Sequence, residues 1–564
     1  MQIKDILTID LSEDIKNVID LEDLSEAEIQ SEIENYIVTD GLAREYVDFV
    51  STFISNILET GVWISGFYGS GKSYFGKLLG YMLSNTSISG TPARERILQR
   101  FTGITDEALV KNSISKLNTY NCRVVFLDVA KQDTSKGLAF TLFRNFLKSI
   151  NLPENEHGFL LFELMVDEKF NDINDFVFQK LNKDWNELKK SRIQYAGVAK
   201  ELYLAKDKTE SDYNNFLTTL RRDSDQFSAS KLKDELSNYL QVVTDERIAF
   251  LFDEASEAVN QKKIDLLELE GLSESLSTLG GKVWTIAIAQ EKLDEVINNS
   301  NVSVAQLTKV TDRFKTKIHL EATEVDTIIR SRLLKKNESA VESLKKHFQS
   351  NSGKIADHST LTGIGLNKTE DADSYTTYYP FYKNQFDLMQ NFLFGTKGYA
   401  STKVAARGMI ITTYEILKNE LQQEEIFNVA AGWQIAKEAQ PQPSTQLISR
   451  FDKAERTLKV EKQKLSGRRL LETVNFLRES ESITSVSNIV KSFINDPDDF
   501  HKIQPEIEKA LNLLVDAKVL LFTNGEYRIT SDIEQRLLDE MNQFSVQTFV
   551  KKNNLQMSLK HLRQ

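Results

Sequence analysis

Apolar positions along the chain fall into two textures. One is short and nearly unbroken: "GVWISG" from Gly61, "RVVFLDV" from Arg123, "RIAFLFDE" from Arg247, "KVWTIAIA" from Lys282 and the shorter "KIHL" from Lys317. Runs of this length, rich in β-branched and aromatic residues, read as strands buried on both faces of a parallel sheet. The other texture repeats every three to four residues. It marks "REYVDFVSTFISNILE" (Arg44 to Glu59), "SYFGKLLGYMLS" (Ser73 to Ser84) and charged stretches such as "INDFVFQKLNKDWNELKK" (Ile173 to Lys190). Strands separated by helices predict an α/β fold.

The same pattern divides the chain. Residues 1–55 are expected as an N-terminal helical segment, and 56–320 as the sheet domain with a large helical insertion at about 131–246. Residues 321–445 read as a helical lid, interrupted by a loop-rich stretch from Ser350 to Pro380. Residues 446–540 read as a basic helix followed by a winged helix. In the latter, two amphipathic stretches, "SVSNIVKSFI" and "QPEIEKALNLLVDAKVL", precede alternating runs around Asn524–Gly525, a hairpin signal. Residues 541–564 read as a further helix without a cap, so a longer natural chain is expected.

Composition narrows the function classes. The single cysteine, Cys122, sits in an apolar run, which excludes internal disulfides and suits a reducing cytoplasm. The opening "MQIKDILTIDLSEDIK" carries acids inside any would-be apolar core, and no run approaches ~20 apolar residues, so neither a secretion signal nor a membrane span is expected. The net charge of −12 repels phosphate backbones. Contact with DNA would therefore need a local basic patch or a partner.

Candidate chemistry begins at Gly66-Phe67-Tyr68-Gly69-Ser70-Gly71-Lys72-Ser73, which matches G-x-x-x-x-G-K-[ST] between a strand and a helix. Such a loop wraps backbone N–H groups around a nucleotide's phosphates, and the helix dipole favours the anion. Gly66, Gly69, Ser70, Gly71, Lys72, Ser73 and Tyr74 are the expected nucleotide-binding residues. Lys72 would reach the β- and γ-phosphates, and Ser73 would ligate Mg²⁺. A second part is the acid pair closing "IAFLFDE": Asp253 for Mg²⁺ and Glu254 to polarise the attacking water. Read alone, two acids are also how an ordinary strand meets solvent. Gln290, closing "VWTIAIAQ", is a candidate to sense the γ-phosphate. Arg313, just before the last strand, is a candidate finger for a neighbouring subunit's nucleotide, with a surface ion pair to Asp312 as the plainer reading. Arg407, in the lid, is a candidate sensor of nucleotide in its own subunit.

Loop, acid pair, polar strand end, late arginine, helical lid and winged helix together resemble the AAA+ ATPase layout, closest in order to the branch with origin-recognition and STAND-type ATPases. More narrowly, "YIVTDGLAREYVDFV", "GVWISGFYGSGKSYFGKLLGYML" and "YYPFYKNQFDLMQ" resemble the BrxC/PglY family, the P-loop ATPases of bacterial BREX phage-defence systems. That resemblance implies ATP and Mg²⁺ as cofactors and a homo-oligomer formed on ATP binding. It also implies partners among the other defence proteins, such as a methyltransferase and an alkaline-phosphatase-like protein, and phage DNA reached directly or through them. Two other readings stand beside hydrolysis: a nucleotide-gated scaffold with little turnover, and a winged-helix DNA-binding regulator. Charge bears on the last. Residues 481–540 hold twice as many acids as bases, whereas "RFDKAERTLKVEKQKLSGRR" (Arg450 to Arg469) is strongly basic. The basic stretch could track a nucleic-acid backbone, dock an acidic neighbour, or simply face solvent.

Overall fold

The structure is a computed structural model. It describes residues 1–12, 20–55, 57–66, 71–224, 226–299, 310–320, 325–363, 365–397 and 402–543. The chain forms two compact units, Lys16–Glu324 and Met1–Ile15 with Val325–Gln564.

In the first unit, five strands form one parallel sheet: β1 (Gly61–Gly66), β2 (Asn121–Asp128), β3 (Glu246–Asp253), β4 (Val283–Ala289) and β5 (Thr316–Leu320), in the order β2-β3-β4-β1-β5. All five apolar runs are therefore strands of one sheet. β1, β3 and β4 lack polar alternation because both faces are covered, whereas β5, at the sheet's edge, alternates. Ala249, Leu251, Ile286 and Ile288 pack toward α1 (Glu26–Asn35), α2 (Asp40–Ile54) and α3 (Lys72–Ser84). Ile248, Phe250, Phe252 and Ala287 pack toward α4 (Leu138–Ser149), α5 (Ala229–Val242) and the helices between them. The expected insertion is thus the sheet's second covering layer and shares its core. Two glycines on one face of α3 allow a close approach to the strands. A Cβ on Gly76 would lie 2.3 Å from Ile288 Cδ1, and one on Gly80 would lie 2.3 Å from the Phe126 ring.

Strand register fixes what meets at the sheet's C-terminal edge. Ser65 pairs with Ala289, Gly66 with Leu320 and Asp128 with Asp253. The end of β1, the end of β3 and Gln290 just after β4 are therefore neighbours along one rim. A ligand crevice belongs there in an open parallel sheet.

The second unit departs from the expected boundaries. Residues 1–55 are not one segment: Ile3 and Ile6 are fully buried within the second unit, where Gln2 and Leu7 bridge to Glu425 and Lys336. The stretch from Ser350 is not all loop. α6 (Glu338–His358) runs through it with a kink at Asn351, because Ile355 and His358 continue the buried face begun by Leu344 and Phe348. A short helix, Ala372–Tyr378, capped by Asp371, follows. The basic helix α7 (Thr445–Val460) packs on α8 (Gly467–Glu479). Then come α9 (Val486–Phe493), α10 (Phe500–Asp516) and an antiparallel hairpin of β6 (Leu520–Thr523) and β7 (Glu526–Ile529), turned at Asn524 (φ 55°) and Gly525 (φ 86°). This is the winged helix. A last helix covers Asp532–Gln543 and so takes in the first residues of the helix expected over 541–564, whose remainder, 544–564, lies outside the described residues. Among the described residues no helix is long and apolar enough to cross a membrane.

Candidate functional site

β1 ends at Gly66, and α3 begins at Lys72. Phe67, Tyr68, Gly69 and Ser70, the middle of the glycine loop, lie outside the described residues. Its exit is described. Gly71 is the N-cap of α3 in the left-handed region (φ 83°), which glycine adopts freely. Lys72 and Ser73 follow in the first turn, with Lys72 buried. The Ser73 hydroxyl and the Lys72 charge both lie near the Asp253 carboxylate. Loop exit and acid pair, 180 residues apart in sequence, thus meet at the rim.

Asp253 is 5% exposed, and its carboxylate also accepts the Glu254 N–H at 2.8 Å. Burial pushes its pKa above the ordinary carboxylate value, against the lowering effect of Ser73, the Glu254 amide and Lys72. Folding therefore favours the protonated form. That contribution is present below the unfolded pKa and lost as pH rises through the folded one, so at neutral pH the buried charge weakens the nucleotide-free chain. Asp253→Asn is accordingly expected to raise the melting temperature measured without nucleotide while weakening Mg²⁺-dependent ATP binding.

Glu254 takes φ 56°, a left-handed conformation unusual for a residue with a Cβ. It turns the chain sharply from β3 into the helix Ala255–Asn260. Gln290 Nε2 donates to Glu254 Oε2 at 3.0 Å, and the Gln290 N–H donates to Ser256 Oγ at 3.0 Å. The two polar strand ends singled out in the sequence are therefore in direct contact. Ser256, which the sequence did not flag, fastens them.

The other expected residues are placed differently. Tyr74 turns its side chain away from the loop: its hydroxyl donates to the Glu32 carbonyl, and its ring packs edge-on against Tyr36. Arg313 pairs with Glu274, not with Asp312, and its Nε lies 3.9 Å from Glu270 Oε1. It sits beside Gly61, at the start of β1, about 16 Å of strand away from Gly66. It does not reach its own chain's rim. Arg407 lies in the helix Thr402–Glu415, but its side chain falls outside the described residues.

Sequence reading missed a buried cluster behind α3. Lys77, fully buried, pairs with Glu32 Oε1 at 2.9 Å and donates to the Asp23 carbonyl at 2.8 Å. Tyr81 Oη donates to Glu32 Oε2 at 2.6 Å. Tyr74, Lys77 and Tyr81 share one face of α3 and hold α1 against it. Glu22, just before α1, accepts from the Asp128 N–H at 3.1 Å and from Gln132 at 2.6 Å. The segment from Asp20 to Asn35 therefore links the helix of the glycine loop to the tip of β2.

No family model matches the chain. Among solved structures, it resembles Cdc6p from Pyrobaculum aerophilum at 11% identity, covering 94% of this chain and 96% of that one, with a TM-score of 0.32. It also resembles the Aeropyrum pernix ORC2 protein, described in ADPNP–ADP complexes, at 12% identity, with 95% and 98% coverage and a TM-score of 0.26. The fold assignment stands on the chain's own strand order and rim geometry. These give an α/β protein with a helix-covered five-stranded parallel sheet, and a helical second unit that contains a winged helix.

Proposed function

We propose that this chain binds Mg-ATP at the rim of its sheet and hydrolyses it. The observation that carries the reading is the convergence of Lys72 and Ser73, at the exit of the glycine loop, on the buried Asp253 carboxylate. A serine hydroxyl and a carboxylate side by side are the donor set that a phosphate-bound Mg²⁺ takes, so the residues fit the ion. When bound, Mg²⁺ supplies Lewis-acid neutralisation of the phosphate oxygens. Lys72 adds its charge to the same oxygens. Glu254 accepts a proton from the attacking water. Gln290, holding Glu254 Oε2, orients that carboxylate and is well placed to respond to the terminal phosphate.

Arg313 takes the role of a finger that completes a neighbouring copy's site, which makes the active form an oligomer. The finer assignment, to a BREX-type phage-defence ATPase acting with other components of that system and on DNA, is supported by the three sequence stretches from Tyr36, Gly61 and Tyr378.

Titration calorimetry with Mg-ATP tests the binding step. The wild type is expected to give saturable heat, and Lys72→Ala to weaken it by about 100-fold or more, the loss of one desolvated charge contact worth ~3 kcal/mol. A wild type without heat would overturn the reading.

A further inference from the structure

The corner between α7 and α8 is a strongly basic surface on a protein of net acidic charge. Arg456, Lys462, Lys464 and Arg469 are exposed there, with Lys459 75% and Arg468 50% exposed. The six come from three local elements: the last turns of α7, the connecting turn, and the first turn of α8. They are held as one surface. Glu455 accepts from Ser466 Oγ at 2.8 Å and from the Arg468 N–H at 3.1 Å, which fastens the helix ends together. Gly467 lets α8 start directly on α7, since a Cβ there would lie 2.4 Å from the Ala454 carbonyl oxygen. Glu455 is held by these bonds and also lies 3.8 Å from Lys459, and Glu472 is taken up by Arg468 at 2.9 Å. Lys462 and Lys464 have no ion-pair partner among the described residues. Arg456 uses its Nε on the Asp452 carbonyl, and it too has no carboxylate partner among them.

The neighbouring winged helix has the opposite character. Asp496, Asp498 and Asp499 lie at the entry to α10, and Glu506 and Asp516 are exposed along it. A phosphate backbone would be repelled from that helix and drawn to the α7–α8 corner.

We propose that the α7–α8 corner binds the phosphate backbone of duplex DNA, without reading its bases. Long, solvent-exposed lysines and arginines outnumber the exposed acids there, Asp452 and Glu461, and match an evenly spaced polyanion. Apart from Val460, their surface offers little of the apolar centre that a stable protein interface requires. The surface lies wholly within the second unit and needs no nucleotide.

The test is fluorescence anisotropy of the full chain on two unrelated labelled 30-base-pair duplexes as KCl is varied. Six phosphate contacts predict an affinity loss of about 10³-fold between 50 and 200 mM salt, alike for both duplexes. The triple variant Arg456→Gln, Lys462→Gln, Lys464→Gln should bind more weakly at every salt concentration and lose only about 40-fold over that range, at ~0.9 of log–log slope per contact removed. A control triple in the first unit, Lys190→Gln, Lys208→Gln, Arg222→Gln, should match the wild type. Absence of wild-type binding at 50 mM salt would overturn the proposal. So would an unchanged salt slope in the corner variant. Sedimentation that showed self-association lost in that variant, with no DNA bound by the wild type, would also overturn it and make the corner a dock for an acidic protein surface.

Discussion

Glu254→Gln is expected to bind Mg-ATP as tightly as the wild type and to release phosphate about 10²–10⁴-fold more slowly, the range for removing a positioned general base. Glutamine keeps the shape of Glu254 and can still meet the Gln290 amide, whose Nε2 lies 3.0 Å from Glu254 Oε2. It cannot take a proton. Binding and turnover should separate, and ATP should accumulate on the protein. Light scattering should then show the oligomer persisting in the variant after the wild type has dispersed. A second step isolates the neighbour's contribution. Arg313→Ala leaves its own rim intact and breaks a partly exposed pair with Glu274, worth about 1 kcal/mol or less, along with the longer contact to Glu270. Its turnover should fall about 10³-fold as a lost finger. Mixing it with Glu254→Gln should restore part of the activity, because mixed contacts pair an intact Glu254 with an intact Arg313. Wild-type turnover in Arg313→Ala would remove the finger and leave Arg313 as a surface ion pair. Equal loss of binding and turnover in Glu254→Gln would remove the general base.

Glu32→Ala is expected to have the largest effect on stability, about 3–5 kcal/mol in the first unit. It leaves Lys77 at 0% exposure without a countercharge, and it frees the hydroxyl of Tyr81. The double variant Glu32→Leu, Lys77→Met should recover most or all of that loss, because it removes both charges from the same buried volume. The titration of Glu32 agrees in sign. Burial outweighs the hydrogen bonds from Tyr81 and Lys77 and raises its pKa above the ordinary 4.5. Folding thus favours protonated Glu32. That contribution is present below the unfolded pKa and lost as pH rises through the folded one, so the carboxylate is a net burden at neutral pH. Urea unfolding followed by tryptophan fluorescence in a Trp433→Phe background, which leaves Trp63, Trp185 and Trp284, reports on this unit rather than on the second. A loss in Glu32→Ala below 1 kcal/mol would show that the backbone carbonyls of Asp20 and Asp23 are enough for Lys77.

The sheet and most of the rim were legible in the sequence for one reason. A strand covered on both faces is apolar almost throughout, so a charged or amide residue closing it marks the sheet's rim. Asp253 and Gln290 are such residues, and register brings them to one rim. The glycine loop was legible because its spacing serves one kind of ligand. What escaped depended on distant partners. Glu32 and Lys77 are ordinary charges on ordinary helices until α1 folds onto α3. Arg313 was paired with its neighbour in sequence, but adjacent helical residues point apart, and Glu274 meets it from another helix. The segment from Ser350 to His358 has the serine and glycine content of a loop, yet Ile355 and His358 find a buried face, and tertiary packing overrides propensity there. That the helices of 131–246 cover the sheet could not be read from their periodicity, which says that a face is apolar and not what it rests on.

The threading of the chain has a practical bearing on how it can be dissected. The polypeptide starts in one unit, passes through the whole of the other, and returns to the first, so the boundary is crossed twice. A fragment ending at Glu324 but starting at Met1 would carry Ile3 and Ile6 into water, stripped of the residues that cover them. Such a piece should be sticky for a reason unrelated to its catalytic half, and a clean excision has to begin downstream of Ile15.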